Sequence, residues 1–263
     1  MTRRDPAKLV LGAWTGVVLL FLFAPLVIVA IFSVNDSTIS RFPMSGLTLG
    51  WYRKLFGNAA LHAALVNSLI IAFATVVLSC SLGILSAVGI HRYGGRLAGG
   101  LRAFSLTPMM VPRLVIGIAL LSFYNLLQAD LSLLTVIAGH VVMTLPYVIL
   151  ITSARLVGFD KSLEEAAWDL GAGTFTIFRE ITVPFLKPAI VAAALMSFTL
   201  SFDEVVVTFF TTGNDNTLPM IIWSMLRFGI TPEVNAIATI TVLITGLFAV
   251  VAELSLRQAQ ART

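Results

Sequence analysis

Long apolar segments are the dominant pattern along this chain. Four of them contain almost no charged residues and extend over 9–34, 63–90, 131–154 and 234–256. A helix needs about 20 apolar residues to cross the hydrocarbon core of a bilayer, so each segment is a predicted transmembrane helix. The apolar residues run continuously and do not alternate with polar ones, which favours helices over the strands of a closed barrel.

Two further apolar segments are interrupted by charge. The segment 103–129 contains Arg113, and the segment 188–212 contains Asp203 and Glu204. Both are long enough to cross a bilayer, so the pattern predicts six transmembrane helices. The expected fold is all-α, a polytopic membrane protein in which residues 1–263 form a single transmembrane domain.

Composition excludes a water-soluble globule. Only 11% of the 263 residues are charged and 58% are hydrophobic, whereas a soluble domain carries about 25% charged residues. The mean hydropathy of +0.96 excludes an intrinsically disordered chain as well. A single cysteine, Cys80, excludes an intramolecular disulfide and a thiolate metal cage.

Lysine and arginine residues are distributed unequally between the two sides of the predicted helices. Of the 17, twelve lie in the amino-terminal segment, the second and fourth loops and the tail, four lie on the opposite side, and Arg113 lies within a helix. Cytoplasmic segments are enriched in these residues, so both termini are expected in the cytoplasm. The basic residues form no stripe, so the net charge of +4 does not indicate a nucleic-acid partner.

The loop between the fourth and fifth predicted helices, 155–187, is the most polar part of the chain. Ser162 and Glu165 have the spacing of a capping box, which predicts the start of a short helix. Gly171 is expected to end that helix in a left-handed conformation. A second short helix is expected over 174–182, ended by Pro184. The loop is therefore predicted to be a helix–turn–helix outside the membrane.

This loop carries a spaced motif. Glu165-Ala166-Ala167 is followed after three residues by Gly171, after nine more by Ile181, and then by Val183-Pro184. The pattern resembles the EAA motif of the permease subunits of ATP-binding-cassette (ABC) importers, which commonly has leucine where Val183 stands. In that family the motif forms a cytoplasmic coupling helix that sits in a groove of a partner ATPase.

The resemblance extends over most of the chain. The segments 200–205, 217–219 and 232–236 are similar to those of the second permease of spermidine/putrescine-type importers. The resemblance implies a type I ABC importer permease in the bacterial inner membrane. The implied partners are a second permease, an ATPase dimer, a periplasmic solute-binding protein and membrane lipid. The residues that it assigns to ATPase coupling are Glu164, Glu165, Ala166, Ala167, Asp169, Gly171 and Pro184.

Nucleotide hydrolysis is expected in another chain. No glycine-rich loop of the form Gly-x-x-x-x-Gly-Lys-Ser/Thr occurs in the sequence. The resemblance therefore implies that this subunit is not an enzyme, has no cofactor of its own, and relies on ATP and Mg²⁺ bound by the partner ATPase.

Three charged residues lie inside predicted helices, where each costs at least about 2.5–3.5 kcal/mol. We expect Arg113 to pair with Asp203 or Glu204, either to fix helix packing or to line a substrate path. Two acids suit an amine, although the related permeases usually have an acid where this chain has Arg113. The two acids alone suit a polyamine, whereas an opine or an amino-acid derivative, which carries an amine and a carboxylate, satisfies both signs of charge. Trp223 is either an interface anchor or a further path residue.

The sequence leaves two other function classes to compare with an ABC permease. A membrane enzyme is not indicated, because the three histidines lie in different segments and form no His-Glu-x-x-His pair. A secondary carrier or channel that is not driven by ATP is the alternative. Such a protein needs no cytoplasmic docking loop and usually contains visible inverted repeats.

Overall fold

The structure is a computed structural model, and it describes residues 6–37, 41–227 and 232–260. The described residues are almost entirely helical, and the single β contact among them is an isolated bridge between Asn35 and Leu47. The chain divides into two compact units, one of residues up to 59 with 222–244, and one of residues 60–221 with those from 245 onward. The α-helices are α1 Pro6–Phe32, α2 Gly50–Gly57, α3 Ala59–Tyr93, α4 Ala98–Leu106, α5 Arg113–Leu126, α6 Leu133–Leu156, α7 Ser162–Asp169, α8 Thr174–Ile177, α9 Val183–Phe202, α10 Val206–Thr211, α11 Leu218–Arg227 and α12 Pro232–Gln260.

Three predicted transmembrane helices, the first, second and fourth, correspond to α1, α3 and α6. Among the described residues four helices are long and apolar enough to cross a bilayer, and a bent pair makes a fifth. The predicted sixth helix, 234–256, lies within α12, whose portion Pro232–Leu247 is a shorter apolar helix. The expected all-α fold is confirmed, while the count of six is approximate.

The third predicted helix, 103–129, is not continuous. A 3₁₀ turn at Thr107–Met110 follows α4, the chain is extended at Val111 and Pro112, and α5 then begins at Arg113. The two halves are bent by 99°. Proline removes a backbone donor and disfavours helical geometry in the residue before it, so Pro112 ends the helix instead of only kinking it.

The fifth predicted helix differs at both ends. The helical path begins at Thr174 and continues to Phe202 through one π-turn over Phe178–Thr182, so the short helix expected to stop at Pro184 is wrong. Pro184 has no backbone N–H to donate, and in a regular α-helix its ring would clash with the carbonyl of the residue four positions earlier. The extra residue of the π-turn accommodates this without breaking the helix.

One core cluster of the larger unit lies where the carboxyl-terminal halves of α3 and α6 meet the amino-terminal half of α9. Its fully buried members include Val148 and Leu186. The rings of Phe159 and Phe185 meet edge to face with centroids 5.0 Å apart, and the Arg155 guanidinium lies 4.3 Å from the Phe185 ring. This packed base supports the polar loop that follows α6.

In the other unit, aromatic residues of α2 hydrogen-bond to the residues directly after α1. The Trp51 indole N–H donates to the Asn35 carbonyl at 2.8 Å, and the Ser33 and Tyr52 hydroxyls lie 2.7 Å apart. Lys54 lies over the Trp51 ring and 3.5 Å from Glu233.

Candidate functional site: a polar-loop helix and an ion pair between broken helices

The Asp160 side chain, just before the N-cap residue Lys161, hydrogen-bonds to the start of helix α7. The Asp160 carboxylate accepts the Ser162 backbone N–H at 2.9 Å, and this hydrogen bond lowers the pKa of Asp160 below its ordinary value. The expected capping box of Ser162 with Glu165 is therefore wrong, because Ser162 is already the first helical residue. An aspartate two residues earlier satisfies the same orphan donor equally well.

Most predicted coupling residues lie on the exposed surface of α7 and the turn that follows it. Gly171 has φ +83°, so the left-handed stop that the sequence predicts is present. Ala167 is half-buried. The exposed members of the predicted set are Glu165, Ala166, Asp169, Gly171 and Pro184.

Large apolar side chains share this exposed surface. Leu163 and Trp168 are about half exposed, Phe175 is more so, and Leu170 is 88% exposed. Apolar side chains rimmed by charge mark interaction surfaces. The loop therefore presents an apolar surface beside the small residues of the motif.

Glu164 is the exception among the predicted coupling residues, because it is the single buried residue of α7. Its carboxylate forms a close ion pair with Arg92 at the end of α3. The same Arg92 nitrogen donates to the Thr182 hydroxyl at 2.7 Å, and that hydroxyl lies 3.2 Å from the Glu164 carboxylate. Three elements far apart in sequence therefore meet at one buried polar cluster.

The intramembrane charges also pair, at a point where two helices are broken. Arg113 begins α5, and Glu204 lies in the break between α9 and α10. The Arg113 guanidinium lies 2.8 Å from one oxygen of Glu204, whose other oxygen accepts the Val207 N–H at 2.9 Å. Glu204 has 0% side-chain exposure, whereas Arg113 has 47%.

Asp203 differs from its neighbour because its side chain is exposed. Adjacent residues near a helix end point in different directions. The arrangement thus offers one free carboxylate and a half-exposed guanidinium, while Glu204 is fully occupied. Trp223, the remaining predicted path residue, lies on α11 and is 55% exposed.

A buried histidine fixes the break between α9 and α10. The two ring nitrogens of His140 lie 2.7 Å from the Ser201 hydroxyl and 2.9 Å from the Thr208 hydroxyl. Thr208 uses its own proton for the Glu204 carbonyl. His140 Nε2 therefore donates to the Thr208 oxygen, and Nδ1 shares a hydrogen bond with the Ser201 hydroxyl. His140 is therefore a hydrogen-bonded packing residue between α6 and the break that follows α9.

Helix packing next to the ion pair is close. A Cβ on Gly117 of α5 would lie 2.6 Å from Cδ2 of Phe210 on α10. A Cβ on Gly139 of α6 would approach Leu120 and Val207 to 3.1 Å. Because glycine has no Cβ, the backbones of α5 and α6 can pack closely against their neighbours. The close packing of α5, α6 and α10 holds the Arg113–Glu204 ion pair in place.

The sequence does not single out four members of these clusters, namely Arg92, Thr182, Ser201 and Thr208. A signal for Arg92 was present, since a cation at the end of an apolar helix is available to pair with the acidic loop. Its choice of Glu164 among several acids depends on the fold.

A metal site is not formed by the described ranges 6–37, 41–227 and 232–260, which contain no group of three or more His, Cys, Asp or Glu side chains suited to hold an ion.

Comparisons of this sequence with known proteins find transport proteins. The family model described as "Binding-protein-dependent transport system inner membrane component" matches residues 79–263. The spermidine/putrescine transport system permease protein PotC of Haemophilus influenzae is 36% identical over 250 residues, which cover 94% of this chain and 96% of the relative. The putrescine transport system permease protein PotI of Escherichia coli K12 is 36% identical over 251 residues, 91% of this chain and 89% of the relative.

Solved structures share the fold. A bacterial ABC transporter involved in the import of the acidic polysaccharide alginate aligns with a TM-score of 0.73 at 15% identity, covering 96% of this chain and 98% of that one. The MetNI methionine ABC transporter aligns with a TM-score of 0.63 at 17% identity, covering 81% and 99%. The fold is that of type I ABC importer permeases, as predicted.

The family is a transport component and not an enzyme, and the alternative of a carrier that is not driven by ATP is not favoured. The chain belongs to the family of inner-membrane components of binding-protein-dependent transport systems, and it is a transmembrane permease subunit of an ABC importer.

Proposed function

We propose that this permease forms half of a solute pathway together with a second permease subunit, and that a cytoplasmic ATPase dimer drives it through α7. A periplasmic binding protein delivers the solute. The observation that carries the coupling role is the exposed surface of α7, on which small residues and large apolar side chains lie beside the turn at Gly171. The residues proposed to contact the ATPase are Glu165, Ala166, Ala167, Asp169, Gly171 and Pro184.

The proposed orientation follows from this role. The loop that contains α7 must face the compartment that holds ATP. The excess of Lys and Arg on the same side of the predicted helices supports a cytoplasmic position for that loop and for both termini. ATP and Mg²⁺ are bound by the partner, and this chain supplies the surface on which the partner pushes.

We propose that the substrate path passes the broken helices at Arg113 and Glu204. Irregular backbone at membrane depth is tolerated where it is buried in protein or lines a water-filled cavity. The exposed carboxylate of Asp203 and the half-exposed guanidinium of Arg113 support a path on that side of the pair. Trp223, exposed on α11, stays a predicted path residue.

The proposed solute is small and carries at least one amine. The names of the relatives support a polyamine, and the free carboxylate of Asp203 suits an ammonium group. The spare N–H groups of Arg113 also suit a carboxylate, as in an opine or an amino-acid derivative. Uptake of labelled putrescine in competition with spermidine and with ornithine measures the preference. Failure of every amine to compete would contradict the proposal.

The experiment that tests the coupling role is the substitution Gly171→Val in the complete transporter. A β-branched residue at φ +83° is strained and displaces the exposed turn. We expect transport to fall at least about tenfold while membrane insertion persists. The measurements are solute uptake and solute-stimulated ATP hydrolysis in proteoliposomes.

The matched control is Gly173→Ala, two residues away, where φ is −76° and a Cβ meets no atom within 4 Å. This variant should transport normally. Normal uptake and normal solute-stimulated hydrolysis in Gly171→Val would overturn the coupling role of α7.

A further inference from the structure

The attachment of α7 to the rest of the subunit is unusual for a helix that transmits force. All eight of its residues are described, and Glu164 is the only buried one. Its large apolar side chains, Leu163 and Trp168, are exposed. An apolar core therefore does not hold α7 in place, and the side chain that anchors it is a carboxylate.

That carboxylate contacts two other elements directly. Its ion-pair partner, Arg92, is in the last turn of α3, and Thr182 is the last residue of the π-turn that leads into α9. The side chains of Arg92 and Glu164 are only 12% and 9% exposed, and Thr182 is buried. Buried charges are screened weakly by salt, and charge-assisted hydrogen bonds are stronger than neutral ones.

Thr182 connects the cluster to the backbone of the π-turn. Its hydroxyl accepts from Arg92 at 2.7 Å and lies 3.4 Å from the carbonyl of Ile177, five residues earlier. Its single proton is available to either Glu164 or Ile177. The irregular turn of the α9 helix is thus hydrogen-bonded to the same residues that hold α7.

From this geometry we propose that Arg92, Glu164 and Thr182 form a buried polar clamp that makes α7 move as one body with the inner ends of α3 and α9. The inference rests on the proposed coupling role of α7 and adds the path by which force leaves it. Displacement of α7 reaches α3 through Arg92 and reaches α9 through Thr182. These are positioning residues, because none of them is on the exposed surface that is proposed to face the ATPase.

The clamp is tested in the complete transporter, reconstituted with its ATPase and binding protein. Glu164→Gln and Arg92→Gln keep the size of the side chain and remove the ion pair. We expect each to lower the number of solute molecules imported per ATP hydrolysed by about tenfold, while the ATPase still copurifies with the permease. If the ion pair only stabilises the fold, less of the transporter will assemble in these variants, but the number of solute molecules imported per ATP will not change.

Arg179 and Glu180 provide the matched control. They form an ion pair of 3.3 Å in the same π-turn, but their side chains are 72% and 63% exposed. Arg179→Gln and Glu180→Gln remove the same charges from the same loop. The expected import per ATP in these variants is that of the unmodified transporter.

A rescue experiment distinguishes the specific contact from a general loss of charge. The double substitution Arg92→Glu with Glu164→Arg restores an ion pair in reverse, and we expect it to regain much of the lost coupling. If the single variants do not assemble, Arg92→Cys with Glu164→Cys in a Cys80→Ser background decides the question. A short bifunctional thiol cross-linker should restore import, because the clamp stays closed throughout the cycle.

Three results would overturn the clamp. The first is that Glu164→Gln imports as many solute molecules per ATP as Arg179→Gln does. The second is that the reversed pair Arg92→Glu with Glu164→Arg recovers no coupling. The third is that the cross-link blocks import. Failure of the underlying proposal is recognised separately. If Gly171→Val remains coupled, α7 is not the coupling element, whereas uncoupling by Gly171→Val with normal clamp variants refutes the clamp alone.

Discussion

Two buried ion pairs of this permease have the same chemistry and different surroundings. In the pair at the loop, Arg92 and Glu164 are both nearly inaccessible, with exposed side-chain fractions of 12% and 9%. In the pair between the broken helices, Glu204 is completely buried, whereas Arg113 is 47% exposed. The first pair is closed, and the second is open on its cationic side.

The difference indicates what each pair can do. A closed pair cannot exchange its partner without unfolding its surroundings, so it suits a mechanical connection. An open pair keeps N–H groups of Arg113 available to water or to a solute, so it suits a path that binds and releases. Both lie at irregular helix geometry, a π-turn in one case and two helix breaks in the other, where free backbone groups need extra partners.

The largest expected effect is on the stability of the fold, and it depends on which residue of the open pair is substituted. Arg113→Ala leaves the Glu204 carboxylate buried without its cation, and we expect it to lower the free energy of unfolding by about 3–5 kcal/mol. Glu204→Gln leaves a half-exposed guanidinium that water can solvate, so the expected loss is about 1–2 kcal/mol. Unfolding by SDS titration in mixed micelles measures both.

The closed pair should show no such asymmetry, since Arg92→Ala and Glu164→Ala each leave a buried charge. Equal losses for Arg113→Ala and Glu204→Gln would contradict the distinction between open and closed pairs. Asp203→Asn is the control at the open pair. Its side chain is exposed, so stability should stay the same, while the apparent affinity for an amine solute should fall.

A smaller effect is expected from packing in the same two regions. A Cβ on Gly83 of α3 would lie 2.6 Å from Cγ1 of Val148 and 2.7 Å from its Cβ, and Val148 is fully buried. A β-branched side chain in a packed core cannot turn away, so Gly83→Ala should cost about 2–3 kcal/mol. Gly117→Ala meets the ring of the partly exposed Phe210, which can swing aside, and should cost about 1 kcal/mol.

The control for both glycines is Gly89→Ala on α3, where a Cβ meets no atom within 4 Å. This change should raise stability by about 0.5–1 kcal/mol, because alanine is the better helix former. The same SDS titration checks the three variants. A larger loss at Gly117 than at Gly83 would show that the region of the broken helices is the more rigid one.

The predictions made from the sequence were most accurate for long uninterrupted patterns. The helices α1, α3 and α6 follow directly from continuous apolar segments, and the turn at Gly171 follows from the need for a positive φ. The predictions were wrong where two local structures were about equally favourable. Asp160 and Ser162 are both suitable caps, and Pro184 stops a helix unless a π-turn absorbs it. Sequence alone does not rank such near-equal solutions.

The sequence predicted the members of the candidate site better than it predicted their geometry. The sequence singled out Arg113, Asp203 and Glu204 because charge inside an apolar segment is costly. It did not say which acid pairs with the arginine, since both lie next to each other in the chain. The break after Phe202 makes that choice, because it turns Glu204 inward and leaves Asp203 exposed.

The sequence by itself determined that this protein is a helical membrane protein with a polar loop, and that this loop carries a motif that resembles the EAA motif of ABC importer permeases. Those properties depend on the apolar content of short segments and on spacings within about 20 residues, which the chain specifies locally. Only the tertiary structure decided that Glu164 faces Arg92 and Thr182, residues that are 72 and 18 positions away. Contacts of that kind depend on how helices pack against one another, because the energy of a buried ion pair depends on its three-dimensional surroundings.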